Sequence, residues 1–264
     1  MKIMPGWRRS NHLARSGILL VAVALVAGMA GCVQHVSSAV TFADPNLEAA
    51  IREAVDIPEG PIYHADLQAL TRLEAYEKNI KRLAGLEHCL GLTFLDLGYN
   101  RISDISPLVG LTSLTRLYLY DNQISDISPV ANLSSLTFLD LGFNQISDIS
   151  PVANLSSLTF LDLGFNQISD ISPVANLTSL TDLHLTYNQI SDISPLVGLT
   201  NLISLQLAFN QIGDISPLID NAGLDEGGQV LLVENPLSPD SINTYIPLLE
   251  ARGVDVTWGW LADQ

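Results

Sequence analysis

The chain has 264 residues, 28 of them acidic and 12 basic, for a formal net charge of −16. A body this acidic repels nucleic acid and anionic membrane surfaces, so neither is expected as a partner of the folded domain. Two Cys and five scattered His (12, 35, 64, 88 and 184) offer no disulfide framework, no CxxC pair and no metal-ligand spacing on one element, so no metal and no cofactor is expected.

Residues 1–31 read as an export signal. Lys2, Arg8, Arg9 and Arg15 lead, and the apolar run 17–31 follows. That run is shorter than the ~20 residues a membrane-spanning helix needs. It ends in Met29-Ala30-Gly31-Cys32, which resembles a bacterial lipobox with Cys32 as the lipidated residue. Met29 departs from the usual Leu. The alternative is an ordinary signal peptide cut near Ser37-Ser38-Ala39, giving a secreted protein. Residues 32–40 then form the lipidated N-terminus and a short tether. The protein is expected to be exported and held by its lipid at the outer face of a bacterial membrane. Loss of the four leading cations leaves 28 acidic against 8 basic residues, a charge of about −20.

Residues 41–66 are expected to cap the domain. Asp44 is a good N-cap and Pro45 suits the first helical position. Leu47, Ile51, Ala54 and Val55 make one apolar helical face. Pro58, Gly60 and Pro61 break the chain, and Ile62-Tyr63 reads as a short strand.

Repeats run from residue 67 to 235. Asn100, Asn122, Asn144, Asn166, Asn188 and Asn210 recur every 22 residues. Around each lies a run such as Leu92-x-x-Leu95-x-Leu97-x-x-Asn100-x-Ile102. A fixed period of this size means stacked, near-identical supersecondary units. Leu95-Asp96-Leu97 alternates as a strand with one buried face. Ser103-Asp104-Ile105-Ser106-Pro107-Leu108 reads as a tight return, with Ser capping and Pro opening a turn or short 3-10 segment. The Asn amide can bond backbone groups of adjacent turns. Cys89 falls at a Leu position and reads as a buried small hydrophobe. The column Asp104, Asp126, Asp148, Asp170, Asp192 and Asp214 reads as turn-setting, with calcium as the weaker alternative for want of a calcium-loop pattern.

Residues 236–264 are read as a C-terminal cap. Ser238-Pro239 opens a helix carrying Ile242, Tyr245, Ile246 and Leu249 on one face, bent by Pro247. Val254-x-Val256-x-Trp258 looks like a last strand.

The units Asn-x-Ile-Ser-Asp-Ile-Ser-Pro-Leu/Val-x-x-Leu resemble the 22-residue leucine-rich repeats of bacterial internalin-type proteins, over about residues 41–260. The resemblance implies an α/β repeat fold: a leucine-rich repeat solenoid with a concave parallel β-sheet, convex 3-10 and turn segments, and helical N- and C-caps. It also implies protein recognition as the commonest use. Invasion adhesins of the family usually carry a wall anchor and further domains, which are not read here, so an invasion role is not carried over.

Outward positions on the concave side fall into rows. The row before the first strand Leu reads Phe94, Arg116, Phe138, Phe160, Asp182 and Ser204. The row between the strand Leu residues reads Asp96, Tyr118, Asp140, Asp162, His184 and Gln206. The row before each Asn reads Tyr99, Asp121, Phe143, Phe165, Tyr187 and Phe209. Exposed aromatics are costly surface and mark binding sites; stacking on one another is the bland alternative. Partner contacts are expected at Phe94, Asp96, Tyr118, Phe138, Asp140, Phe160, Asp162, Asp182 and His184. Asp140 and Asp162 should lie one strand apart, a repulsion that a cation, a partner's Lys or Arg, or solvent screening would relieve. Residues 122–155 and 144–177 are identical, so part of this face is a copied unit. The expected function is that of a non-catalytic, envelope-anchored monomer binding a protein with a basic, partly apolar surface. Envelope polysaccharide binding or a structural role, and a cytosolic regulatory scaffold, are the alternatives. An enzyme is disfavoured: no Gly-x-Ser-x-Gly, Walker or His-Glu-x-x-His motif occurs, and His184 is linked to no nucleophile.

Overall fold

The computed structural model describes residues 38–260. The leader, Cys32 and most of the tether lie outside these residues. The described chain opens with β1 (Ala39–Val40), α1 (Pro45–Val55), β2 (Ile62–Tyr63) and the short α2 (His64–Gln68). Strands β1 and β2 pair antiparallel. Asp44 caps α1 by accepting from the Asn46 N–H at 2.9 Å. It also accepts from the backbone of Lys81 and Arg82, tying the cap to the first repeat. Burial works to raise the Asp44 carboxyl, but these backbone donors outweigh it and hold the group below its ordinary value. The buried face of α1 is Leu47, Ala50 and Ile51, with Val55 packed beside it. Ala54, expected on that face, is exposed: it lies in the last turn of the helix, where the stripe borders an open cleft beside Arg72 rather than packed core.

Nine strands follow, all in one parallel sheet in chain order: β3 (Arg72–Glu74), β4 (Phe94–Asp96), β5 (Arg116–Tyr118), β6 (Phe138–Asp140), β7 (Phe160–Asp162), β8 (Asp182–His184), β9 (Ser204–Gln206), β10 (Gln229–Leu231) and β11 (Asp255–Thr257). From β3 to β9 each residue faces the residue 22 positions on. The three-residue insertion before β10 is absorbed outside the strand, since Leu205 still faces Val230. Between strands run single 3-10 turns such as Ser106–Leu108 and Ser150–Asn154; the equivalent turn after β9 is α3 (Ser216–Asp220). The architecture is a leucine-rich repeat solenoid.

Each turn delivers the same side chains to the interior. Leu95, Leu97, Ile102, Ile105, Leu108, Leu111 and Leu114 are all at most 1% exposed, and their counterparts repeat this down the stack. One turn alone could not bury them; stacking does, at ~1.5–3 kcal/mol per fully buried side chain. Cys89 takes one such place, wholly buried. Burial pushes its thiol up to about 12, which leaves it unreactive.

The polar backbone of this narrow core is satisfied by the Asn column. Asn122 accepts from the Ile102 N–H at 2.9 Å and donates to Leu97 O and Leu119 O at 3.0 Å. The other members of the column, and Asn235 after the insertion, repeat these bonds. A second column comes from Thr93, Thr115, Thr137, Thr159 and Thr181, whose hydroxyls donate to the carbonyl of the residue 22 places earlier.

The 3-10 turns are started by Asp rather than Ser. Asp104 Oδ1 accepts from the Ser106 N–H at 2.8 Å, and Asp126, Asp148, Asp170, Asp192 and Asp214 do the same. The carboxylate reaches two residues ahead, where a Ser hydroxyl at 103 is not used. These bonds from the Ser128 and Ser172 backbones hold Asp126 and Asp170 below the ordinary carboxylate range.

After β10 the chain enters a π-turn at Ser241–Tyr245 that leads into α4 (Ile246–Ala251). Pro247 has no N–H, and in a regular helix its ring would meet the carbonyl four residues back. The turn therefore widens, and the Ile246 N–H donates to Ser241 O.

Candidate binding face

The sheet presents the first two outward rows on one side. The central Leu of each strand from β4 to β9 is fully buried, while its neighbours are half-buried or exposed. The expected contact residues Phe94, Asp96, Tyr118, Phe138, Asp140, Phe160, Asp162, Asp182 and His184 thus share one surface. Their grouping differs from the simple rows. Phe94, Tyr118, Phe138, Phe160 and His184 join in one ring chain, at 5.5, 4.6, 4.2 and 5.1 Å between successive centroids. Tyr118 and His184 come from the other row and lean across to it. Phe138 and Phe160 lie parallel within 3°.

The row before the Asn is a separate ladder. Phe143, Phe165, Tyr187 and Phe209 stack at 3.9, 4.3 and 4.0 Å. All four, with Tyr99 and Asp121, have positive φ between 51° and 56°. A left-handed residue with a side chain costs roughly 1–2 kcal/mol, and an aromatic pair returns ~0.5–1.5 kcal/mol. The ladder is thus partly self-supporting. Its ring faces cover one another, and its edges face solvent. A tyrosine cluster closes the N-terminal end: Tyr76 and Tyr120 each sit 5.2 Å from Tyr99. Neither was expected at the site. Tyr120 was hidden because its repeat position holds Gly98, Gly142 and Gly164 elsewhere; its ring lies where a side chain on Gly98 would go, 2.5 Å from an added Cβ. Burial, with Asp96 nearby, pushes the Tyr120 hydroxyl up to about 12.

The acidic row carries a structural duty as well. Asp96, Asp140 and Asp162 accept from the N–H of Gly98, Gly142 and Gly164 at 3.0, 3.1 and 2.8 Å, setting the turn that precedes each left-handed residue. Asp140 and Asp162 face each other across β6 and β7. Asp162 also meets His184 Nδ1 at 3.2 Å, and Asp182 accepts from the Thr181 hydroxyl at 2.6 Å. Asp140 has no such neighbour. Burial first, then the charge of Asp162, pushes its carboxyl up to about 7, against the opposing Gly142 N–H. Burial likewise raises Asp96. Among the described residues no group of three or more His, Cys, Asp or Glu is placed to hold a metal ion.

The raised Asp140 has a consequence for stability. In the unfolded chain the group titrates at ~3.9. The folded chain holds the proton more tightly, so the group opposes folding above about pH 7, and this cost fades as pH falls toward 4. Asp140→Asn should raise the unfolding free energy by roughly 2–4 kcal/mol at pH 8 and by under about 1 kcal/mol at pH 4. Urea unfolding at the two pH values measures the difference. An equal effect at both would mean that ionisation of Asp140 is not the cause.

A cleft of about 460 Å³ opens at the N-terminal edge between α1 and β3, bordered by Glu53, Arg72, Glu74 and Lys78 among others. Arg72 there pairs with Glu74 and lies over the Phe94 ring, 3.5 Å from its centre.

The family model for leucine-rich repeats in two copies matches five overlapping windows, 90–132, 112–154, 134–176, 156–198 and 178–220. Among solved structures, the chain is similar to an internalin from Listeria monocytogenes at 31% identity, covering 86% of this chain and 72% of that one, with a TM-score of 0.68. It is similar to internalin C2 from the same organism at 37% identity, covering 69% of this chain and 91% of that one, with a TM-score of 0.57. The ectodomain of a plant membrane receptor kinase from Arabidopsis thaliana, solved in complex with Casparian strip integrity factor 2, matches at 25% identity over 68% of this chain and 23% of its own, with a TM-score of 0.57. No curated protein matches the chain by sequence. On its repeats, its sheet and these similarities, the chain belongs to the internalin-type family of leucine-rich repeat proteins.

Proposed function

We propose that this protein is a non-catalytic binding protein that recognises a protein partner through the sheet face, and that a lipid on Cys32 holds it at the outer face of a bacterial membrane. The observation that carries the reading is the ring chain from Phe94 to His184 lying beside Asp140 and Asp162. It combines apolar area, rigid side chains and carboxyl groups on one surface, the composition of an interaction hot spot. The plant receptor ectodomain is a distant example of leucine-rich repeats engaging a separate factor. A polysaccharide is the weaker partner: sugars pack on ring faces, and in both ladders the stacked rings occupy one another's faces.

The anchor reading rests on the sequence at Met29-Ala30-Gly31-Cys32. Among the described residues no helix is long and apolar enough to cross a membrane. The acidic body would stand off an anionic surface, and the chain would act as a monomer.

The quadruple variant Phe138→Ala, Phe160→Ala, Asp140→Ala, Asp162→Ala should lose at least tenfold in capture of the natural partner while keeping its circular dichroism. Undiminished capture by the folded variant would place the site elsewhere. Cells fed a fatty-acid analogue should label the wild-type chain and leave Cys32→Ala unlabelled. Equal labelling would remove the anchor, and a soluble cytoplasmic protein on fractionation would revive the scaffold reading.

A further inference from the structure

Two carboxyls meet beside the middle of the ring chain, and the fold sets one imidazole against the pair. Asp140 on β6 faces Asp162 on β7. A Cβ added to Gly142 would lie 3.4 Å from Asp140 Oδ1 and 3.3 Å from Asp162 Oδ1, so both carboxyls crowd the same point. Phe138 and Phe160, stacked at 4.2 Å, run alongside them on the same strands. His184 on β8 meets Asp162 Oδ2 through Nδ1 at 3.2 Å and turns its ring edge-on to Phe160. On β5, Tyr118 stands opposite Asp140, and the exposed Arg116 stands opposite Phe138. Tyr120, after β5, holds its proton up to about 12. Farther out lie Asp96 on β4 and Asp182 on β8, the latter bonded to the Thr181 hydroxyl.

Ionising both central carboxyls puts like charges one strand apart in a half-buried row, and burial penalises them further. A proton on Asp140 removes that repulsion. A proton on His184 makes its pair with Asp162 neutral. The cluster therefore holds the means to cancel its own charge without a Lys or Arg from outside. A cation brought to Asp140 would also meet Arg116, one strand away. Covering the ring chain withdraws water from Asp140, and an unpaired charge taken out of water is costly. The protonated carboxyl is the form that can be covered.

We infer that the sheet face docks an uncharged, apolar surface of its protein partner, and that docking is linked to protonation of Asp140, so that binding strengthens as pH falls from 8 to 6. This rests on the sheet face being the binding surface, and it sets aside the expectation of a basic partner. The size of the effect follows from the carboxyl being pushed up to about 7. Such a group is about one-tenth protonated at pH 8 and about nine-tenths at pH 6. An apparent affinity that needs the protonated form then changes by about tenfold.

Two synthetic peptides with blocked ends and an uncharged fluorophore test it against the full chain carrying Cys32→Ala, by fluorescence anisotropy at pH 8 and pH 6. One is Gly-Phe-Leu-Phe-Gly; the other has Lys in place of Leu. The neutral peptide should bind about tenfold tighter at pH 6, and at each pH more tightly than the Lys peptide. With Asp140→Asn, which keeps an acceptor for the Gly142 N–H, the neutral peptide should bind equally well at both pH values. Tighter binding of the Lys peptide, strongest at pH 8, would overturn the inference in favour of a basic partner. If the neutral peptide binds equally at both pH values and the quadruple variant above abolishes that binding, proton linkage is overturned and the sheet face stands. If neither peptide binds at either pH, or the quadruple variant binds both unchanged, the sheet-face reading falls and the inference with it.

Discussion

Asn144→Ala should lower the unfolding free energy by about 3 kcal/mol, the cost of one orphaned buried donor and several lost carbonyl bonds. The Asn144 side chain is the acceptor for the Ile124 N–H at 3.0 Å, and it donates to Leu119 O and Leu141 O at 3.0 and 3.1 Å. Those carbonyls keep a second donor, from Asn122 and Asn166. The Ile124 N–H has no replacement inside the core. The loss falls between two neighbouring turns, and a repeat protein is held together by such neighbour terms. Urea unfolding should therefore show a lower midpoint, with earlier exchange of the amides of residues 119–146. A midpoint within about 0.5 kcal/mol of wild type would show that water reaches the column and serves the orphaned groups.

Gly223→Ala should be at least as damaging, about 4 kcal/mol or failure to fold, because backbone rather than a side chain stands in the way. A Cβ there would lie 1.8 Å from Thr200 O and 2.3 Å from Thr200 C. The close approach has a cause in the sequence. Asn221 is fully buried. It donates to Leu196 O at 2.7 Å and accepts from the Gly223 N–H at 2.8 Å, drawing the insertion down onto the preceding turn. Gly110→Ala is the control, since its nearest neighbour is Leu90 Cδ2 at 3.9 Å, and it should change stability by less than about 0.5 kcal/mol. Comparable thermal unfolding of the two variants would show that the 221–228 turn relaxes away freely.

The buried columns were legible without coordinates. A side chain that recurs every 22 residues meets its own copies on either side, so Leu95, Ile102 and Leu108 could be assigned to the core and Asn100 to backbone bonding. The Asp of each Ser-Asp-Ile-Ser-Pro turn was legible as turn-setting, but its exchange of roles with Ser was not. That depends on which oxygen reaches the backbone two residues ahead. The face was legible as a set of positions and less so as a surface. Tyr118 and His184 belong by spacing to the acidic row, yet their rings complete the aromatic one. Tyr120 escaped notice because its neighbours in the column are Gly, and only packing shows that the space over Gly98 is its own.

The sequence by itself determined the period, the sheet and the order of charges along it, because in a one-dimensional stack position in the chain is position along the axis. The tertiary structure decided what those charges do. It set Asp140 opposite Asp162 in a half-buried row and gave only Asp162 a His partner. It left Arg116 exposed among rings without an ion pair. Burial and proximity act across 22 residues of chain and a single strand spacing, distances that no local pattern of residues records.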